Sequence, residues 1–341
     1  MRKKLNYFFA FFIIVFVFFA MLEILLRVFK LVPVHVVNES IYPKILGDYK
    51  PSQDFMSDFI FPYHVKINSL GLRGEEIDIE KPKGVYRILV LGDSYAFGER
   101  VNDDEAFAFK LEKILNDSLK DRMSIEVVNG GHAAYSTREE YEYLLERGVY
   151  LNPDMIILFW FPNDLIELSR EYSWRDLLKE HYKFEPFKSY LRSFATFNAL
   201  RQIISCNFIK LRFGPYVPKE EINIFDEEET PVEDKLWNRC FDYLVKIKNI
   251  CDGKIKFILV GLADPEQFKI KNGLRPQHKL RVFAQSEGID FINLAEVFAS
   301  REKVVEDYYL MPKDPHFNKN GNKLVAKELC IYLKKYLRTK Y

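Results

Sequence analysis

Cysteine, net charge and nucleotide-binding signatures are all scarce in this chain of 341 residues, and each shortage narrows the possible functions. The four cysteines form no CxxC pair and no Cys/His cluster, which argues against a zinc site. The formal net charge is +1, so there is no electrostatic case for a nucleic acid partner. Residues 91–98 match neither G-x-G-x-x-G nor G-x-x-x-x-G-K-[ST], which disfavours a nucleotide enzyme. The G-x-S-x-G elbow is absent as well.

The cysteines are best interpreted as small buried thiols. Cys240 and Cys251 fall on one predicted helix, about 16 Å apart at the helical rise, which is too far for a disulfide if the helix is continuous. If the domain lies outside the cytoplasm, a disulfide stays open, and the sequence does not select its pair.

A long apolar run stands near the N-terminus. Residues 5–22 carry no charge over 18 residues, the lower end of what spans a bilayer. Basic residues at positions 2–4 predict a cytoplasmic N-terminus and an exported domain, although Arg27 and Lys30 on the far side weaken that orientation. No small-x-small cleavage site and no lipobox cysteine follows, which favours an uncleaved signal anchor over a cleaved signal peptide. We therefore predict that residues 1–30 form a single-pass anchor in the inner or cytoplasmic membrane.

The pattern changes beyond this anchor. Residues 31–85 are rich in Pro, Gly, Asn and Asp, with little periodicity, and we interpret them as a juxtamembrane segment that packs on the core, with an ordered turn at 68–74. Residues 86–341 alternate strands with helices, which indicates an α/β fold with a parallel sheet and helices on both faces. A segment at about 165–232 interrupts the alternation. Its aromatic clusters and its acidic run at 226–229 suggest an insertion that covers or borders a site.

Hydrophobic periodicity predicts the individual elements. The predicted strands are 86–91, 125–128, 155–160, 256–260 and 291–294, and the predicted helices are 104–120, 137–150, 232–251, 276–286 and 323–337. Ser136 or Thr137 can cap the second of these helices, and Asn320 can cap the last one.

Four short polar motifs follow one another in a fixed order. They are Gly92-Asp93-Ser94-Tyr95, Asn129-Gly130-Gly131 with Ala134, Asn163-Asp164, and Asp314-Pro315-His316. The first three follow the first three predicted strands in order, and the fourth lies in a predicted loop before the last helix. Because ligands of such sheets bind at the carboxyl ends of the strands, all four are expected at one edge.

These motifs supply the parts of an acyl-transfer site. Ser94 is a poor nucleophile alone and needs a base, for which His316 is the best candidate, with Asp314 close enough to orient it. The backbone N–H groups of Ser94 and Ala134, and the Asn163 side chain, can bind an oxyanion. Each motif alone is equally explained by turn or capping chemistry, so the case depends on their joint occurrence in this order.

On these residues the chain resembles the SGNH, or GDSL-type, hydrolase family over about residues 65–338. The resemblance gives Ser94 the role of nucleophile and Asn163 that of oxyanion donor. Asp314 and His316 match the last conserved motif of the family. It implies a flavodoxin-like α/β/α sandwich with a parallel sheet, in addition to the N-terminal transmembrane helix. It implies no metal and no organic cofactor.

Two departures from the family pattern matter. The oxyanion glycine aligns with Ala134, with Gly131 also in the candidate set, and the Ala134 N–H still serves if its φ is negative. The D-x-H spacing of Asp314 and His316, where many members have D-x-x-H, resembles the branch related to alginate O-acetylation enzymes. The stretch from Asn68 to Gly98, together with the N-terminal helix, resembles the membrane-anchored bacterial branch.

The resulting expectation is a serine esterase that acts through an acyl-serine intermediate on acylated glycan or lipid outside the cytoplasm. One alternative is a polysaccharide O-acetyltransferase that uses the same site, and a second is a non-catalytic glycan-binding protein of the cell envelope. The membrane is the other expected partner.

Overall fold

The computed structural model describes residues 2–29, 36–37, 46–57, 62–119, 122–170, 173, 175, 191, 194–197, 199–200, 224, 230–251 and 253–340. Most of the predicted insertion at 165–232, with its acidic run at 226–229, lies outside the described residues, as does Cys206.

The chain begins with a long apolar helix, α1 (Arg2–Val28). Its segment Asn6–Val28 is long and apolar enough to cross a membrane, with a mean hydropathy of 2.9, and the apolar window is not buried against the protein. The structure thus extends the predicted apolar run of residues 5–22 into one continuous helix.

A small antiparallel sheet follows, where we predicted little regular structure. It contains β1 (Val36–Val37), β2 (Gln53–Ser57) and β3 (Tyr63–Ile67) in that order. Alternate side chains of β3 are buried, which is the two-residue period of a half-buried strand. The expected turn at 68–74 is ordered, because the Asn68 side-chain oxygen accepts the N–H groups two and four residues ahead, both at 3.0 Å.

The central sheet is parallel and five-stranded within the described residues. Its members are β4 (Val85–Gly92), β5 (Ser124–Asn129), β6 (Met155–Trp160), β7 (Lys256–Gly261) and β8 (Asp290–Asn293). They are ordered β5-β4-β6-β7-β8, which is the flavodoxin-like order. The predicted α/β class and sheet topology are confirmed, and β6 matches its predicted bounds.

Helices cover both faces of this sheet. They are α2 (Ser94–Phe97), α3 (Phe107–Leu119), α4 (Thr137–Glu146), α5 (Asn163–Glu167), α6 (Pro231–Cys251), α7 (Arg275–Glu287), α8 (Leu294–Ala299), α9 (Val304–Tyr308) and α10 (Lys319–Lys340), with 3₁₀ turns at Asp103–Glu105, Gly148–Leu151 and Pro265–Lys269. Ile88 and Val90 share a core with α3, α8 and α10. Leu89 and Leu91 share the other core with α4, α6 and α7. Alternate residues of one strand thus supply two cores, which explains the continuous apolar runs.

Local details correct two predictions and support two others. The last helix begins at Lys319, and Asn318 caps it by accepting from Asn320 N at 2.8 Å, so Asn320 is not the cap. The region of Asp314 and His316 is a short strand, β10 (Asp314–Phe317), paired with β9 (Tyr309–Leu310), where we predicted a loop. Ser136 caps α4 through a capping box with Glu139, as expected. The cysteines found buried as free thiols are Cys240, Cys251 and Cys330.

Candidate active site

Ser94 lies at the carboxyl edge of the sheet, where it is the first residue of α2 after β4. Asp93 caps this one-turn helix by accepting the N–H of Tyr95 at 2.8 Å. The tight passage from strand to helix needs Gly92, whose φ is 146°. A Cβ there would lie 2.6 Å from the Cβ of Ala96, so a side chain would push the helix away. Gly92 and the Asp93 cap are therefore requirements of the turn that presents the serine.

His316 reaches Ser94 from β10. The Ser94 Oγ lies 2.8 Å from His316 Nε2, and His316 Nδ1 lies 2.6 Å from Asp314 Oδ1. Because the Asp314 carboxylate only accepts, Nδ1 carries the proton and Nε2 is free to accept from the Ser94 hydroxyl. The Tyr95 hydroxyl donates to the Pro315 carbonyl at 2.6 Å, which ties the strand to the serine-bearing helix. The structure thus brings three of the sequence-predicted residues into one hydrogen-bonded chain.

Arg100 fixes the far side of Asp314. Its Nε donates to Asp314 Oδ2 at 2.9 Å, while the His316 backbone N–H donates to Oδ1, also at 2.9 Å. Burial would raise the pKa of Asp314, but the hydrogen bonds from His316 and the Arg100 charge lower it well below its usual range. Asp314 is thus held ionised and oriented.

The charges around His316 favour its protonated form. Burial alone would lower the pKa of His316, yet the hydrogen bond to Asp314 and the charge of Glu99 outweigh it and raise the pKa. A base with a raised pKa accepts the serine proton more readily. The sequence alone assigned no role to Arg100 or Glu99, because their position beside His316 depends on the turn that follows α2.

The hydrogen-bond partners of the backbone N–H groups at residues 130–134 distinguish the two candidate oxyanion donors, Gly131 and Ala134. The N–H of Gly131 donates to the Asn129 side chain at 3.0 Å, so this N–H is already committed within the loop. His132 N donates to the Gly92 carbonyl at 3.0 Å and Ala133 N to the Tyr49 hydroxyl at 3.2 Å.

Ala134 differs from its neighbours, because its N–H has no acceptor within the described part of the chain. The N–H of Ser94, at the start of α2, is likewise uncommitted to any described residue. We expected the Ala134 N–H to serve if the φ of Ala134 were negative, and that condition is not met, since its φ is 65°. The left-handed conformation is strained for alanine but leaves the N–H uncommitted.

Asn163 is the first residue of α5, which begins shortly after β6 at the same edge. Its side chain favours the ionised form of Asp93, which opposes the effect of burial on that carboxyl. An amide carries two N–H donors that a ligand can take up. Burial nevertheless raises the pKa of Asp93 to about 6.

Two further carboxyl groups lie buried next to Asp93, and sequence reasoning missed them. Glu140 and Asp164 are almost fully buried, and neither Glu140 oxygen has a hydrogen-bond partner among the described residues. Burial, together with repulsion among the three carboxylates, holds the pKa values of Glu140 and Asp164 well above their usual range. Glu140 lies in the first turn of α4, where a carboxylate is ordinarily favourable because it faces the helix N-terminus.

His132 is a packing residue. Its ring stacks on Tyr49 at 4.2 Å and on Tyr135 at 4.3 Å between centroids, and its Nδ1 lies 3.0 Å from the Ala133 carbonyl. Burial lowers its pKa, so it stays neutral at physiological pH. Across the described ranges, no group of three or more His, Cys, Asp and Glu side chains could hold a metal ion.

Comparisons with known proteins give only weak likenesses. No protein-family model matches the chain, and no curated protein matches it in sequence. A member of the lipolytic protein G-D-S-L family from Veillonella parvula is 12% identical, covers 71% of this chain and 94% of its own, and gives a TM-score of 0.42. The lipase/acylhydrolase from Enterococcus faecalis is 13% identical, covers 74% of this chain and 96% of its own, and gives a TM-score of 0.43. The acetyl xylan esterase AlAXEase is 15% identical, covers 71% of this chain and 97% of its own, and gives a TM-score of 0.42. Likeness of this degree establishes neither the family nor the activity of this chain.

Proposed function

We propose that this protein is a serine ester hydrolase of the SGNH type, with Ser94 as nucleophile, His316 as base and Asp314 as the orienting carboxylate. The observation that carries the proposal is the hydrogen-bonded chain from Ser94 Oγ to Nε2 of His316 at 2.8 Å and from Nδ1 to Asp314 at 2.6 Å. A nucleophile within reach of a base, itself oriented by a third group, is the arrangement that acyl transfer requires.

The reaction proceeds in two halves. As the Ser94 Oγ attacks the ester carbonyl, its proton passes to Nε2 of His316, and the tetrahedral intermediate collapses when His316 returns that proton to the departing alkoxide. The acyl-Ser94 intermediate is then attacked by water, whose proton again goes to His316. Collapse releases the carboxylic acid and restores the Ser94 hydroxyl. Asp314 stays ionised and stabilises the imidazolium in both halves.

The oxyanion is bound by the N–H groups of Ser94 and Ala134 and by the Asn163 amide. The two backbone groups are uncommitted within the described residues, and Asn163 lies at the end of the neighbouring strand. Preorganised donors of this kind each contribute about 10²–10³ in rate, because they bind charge that develops only in the transition state.

We also propose where the enzyme works. The apolar segment Asn6–Val28, which is not buried against the protein, supports membrane anchoring. The basic residues 2–4 before it support a cytoplasmic N-terminus. The catalytic domain then lies outside the cytoplasm, where acylated glycans and lipids are the esters within its reach.

The deciding experiment is ester hydrolysis by the full chain in detergent, with p-nitrophenyl acetate and longer p-nitrophenyl esters. Ser94→Ala should lower the rate by at least about 10³-fold, since the nucleophile is lost. Ser286→Ala is the matched control, because Ser286 is exposed on α7. Equal rates for the wild type and Ser94→Ala would refute the proposal, as would labelling of both by a fluorophosphonate.

A further inference from the structure

A second carboxylate, Glu99, is positioned by the same turn as the nucleophile. Gly98 ends α2 in the left-handed conformation, with φ of 84°, and the next N–H, that of Glu99, donates to the Ser94 carbonyl at 3.0 Å. Ser94 and Glu99 are thus fixed relative to one another by one helical turn and its cap.

The two oxygens of Glu99 face different partners. Oε1 lies 3.7 Å from Arg100 Nη2, and Oε2 lies 3.9 Å from His316 Nε2. Arg100 itself is held by Asp314. The Glu99 side chain keeps 22% of its surface exposed and that of His316 keeps 16%, so solvent reaches both groups. His316 therefore has a carboxylate at each ring nitrogen, and only the one at Nδ1 is in direct hydrogen-bond contact.

We propose, on the basis of the proposed hydrolase function, that Glu99 holds the water that attacks acyl-Ser94 and so favours hydrolysis over transfer to an alcohol. A water oxygen about 2.8 Å from both Nε2 and Oε2 would see them at an angle of about 90°, given their separation of 3.9 Å. Water can therefore donate one hydrogen to His316 and the other to Glu99.

An alcohol cannot make both bonds. Its single hydroxyl hydrogen must go to His316 Nε2 for the proton transfer, which leaves its carbon facing the Glu99 carboxylate. In the water reaction, the hydrogen facing Nε2 passes to His316 and then to the Ser94 Oγ as the acyl bond breaks. The hydrogen facing Glu99 stays with the new carboxylic acid. Glu99 thus neither gains nor loses a proton in this step and acts only by orienting the attacking water.

The test measures how the acyl-enzyme divides between water and methanol. The full chain in detergent is supplied with p-nitrophenyl acetate in aqueous methanol at mildly alkaline pH, and acetate and methyl acetate are quantified. In Glu99→Ala the ratio of methyl acetate to acetate should rise about tenfold, the value of one hydrogen bond to a charged group. Glu99→Gln keeps the shape and one acceptor oxygen, so its ratio should lie between those of the alanine variant and the wild type. Glu80→Gln is the control, because Glu80 is an exposed glutamate outside the site.

The outcomes separate this inference from the function on which it rests. If both Glu99 variants release p-nitrophenol but keep the wild-type product ratio, Glu99 does not orient the water and the inference is overturned while the hydrolase stands. If both products fall in equal measure, Glu99 acts on His316 alone, which also overturns it. If Ser94→Ala is as active as the wild type, the proposed function itself fails.

Discussion

Replacing Asp314 by asparagine tests the catalytic arrangement most directly, because both oxygens of this carboxylate are occupied by donors. Oδ1 accepts from His316 Nδ1 at 2.6 Å and from His316 N at 2.9 Å, and Oδ2 accepts from Arg100 Nε at 2.9 Å. An amide offers one acceptor oxygen and one NH₂ group, so one of the two sides must then face a donor.

Either orientation of the amide harms the site. With its oxygen towards Arg100, the NH₂ group faces Nδ1, which forces the His316 proton onto Nε2 and removes the acceptor for Ser94. With its oxygen towards His316, the NH₂ group opposes the arginine in a nearly buried position. The wrong tautomer of a catalytic histidine costs about 10⁴ in rate in serine proteases. We expect Asp314→Asn to lower kcat/KM by about 10³–10⁴-fold, or about 4–5.5 kcal/mol.

The measurement is kcat/KM for p-nitrophenyl acetate in a series of variants. Arg100→Leu, added to Asp314→Asn, should restore about tenfold, because the amide can then turn its oxygen towards His316 at no cost on the other side. Arg122→Leu, at an exposed arginine, is the control and should restore nothing. An Asp314→Asn variant within tenfold of the wild type, or a double variant no better than the single one, would refute this account of the tautomer.

Two further predictions concern stability and topology. The pKa of buried Glu140 is raised far above its ordinary 4.5, so the wild type loses stability as the pH rises from about 4.5 towards the folded-state pKa. The Tm of Glu140→Gln relative to that of the wild type should therefore increase over this pH range. A Tm difference that does not change with pH would contradict the burial argument. A reporter that is active only outside the cytoplasm is fused after residue 340. The fusion should be active, and it should lose activity when residues 2–28 are deleted. An inactive fusion of the intact chain would contradict the proposed orientation.

The central fold could be predicted because parallel strands are buried on both faces. Met155–Trp160 consists of six apolar residues, all buried, and its predicted bounds are those of the structure. A strand of this kind shows an apolar run that needs no knowledge of its neighbours. The same reasoning placed Ser94 and Asn163, since each lies within three residues of the end of such a run.

Elements with weaker local signals were misassigned. The Asp314–Phe317 strand is only four residues long and contains a proline, so its pairing with Tyr309–Leu310 is decided by tertiary contacts. Its position depends on the hydrogen bond from the Tyr95 hydroxyl to Pro315, more than 200 residues away in sequence. Glu140 and Glu99 escaped notice for a similar reason, because a glutamate near a helix end is normally exposed.

The choice between Gly131 and Ala134 shows why the oxyanion donor could not be settled from sequence. A glycine is the natural candidate where the backbone must adopt unusual angles, yet here the glycine at 131 is needed for space. A Cβ there would lie 2.4 Å from Phe97 N, inside the helix that carries the nucleophile. Alanine at 134 instead adopts the left-handed conformation, at a cost of about 1–2 kcal/mol.

That cost is offset by what the preceding residues gain. The four N–H groups from Gly130 to Ala133 donate to a strand carbonyl, an asparagine side chain, the Gly92 carbonyl and a tyrosine hydroxyl, all within 3.2 Å. Four bonds at about 0.5–1.5 kcal/mol each exceed the strain at one alanine. The loop is thus held by the bonds that commit its other donors, and the residue that bears the strain is the one whose N–H remains uncommitted among the described residues. Strain that persists because the surrounding structure fixes it is typical of functional sites, which is why Ala134, and not Gly131, is the residue we assign to the oxyanion.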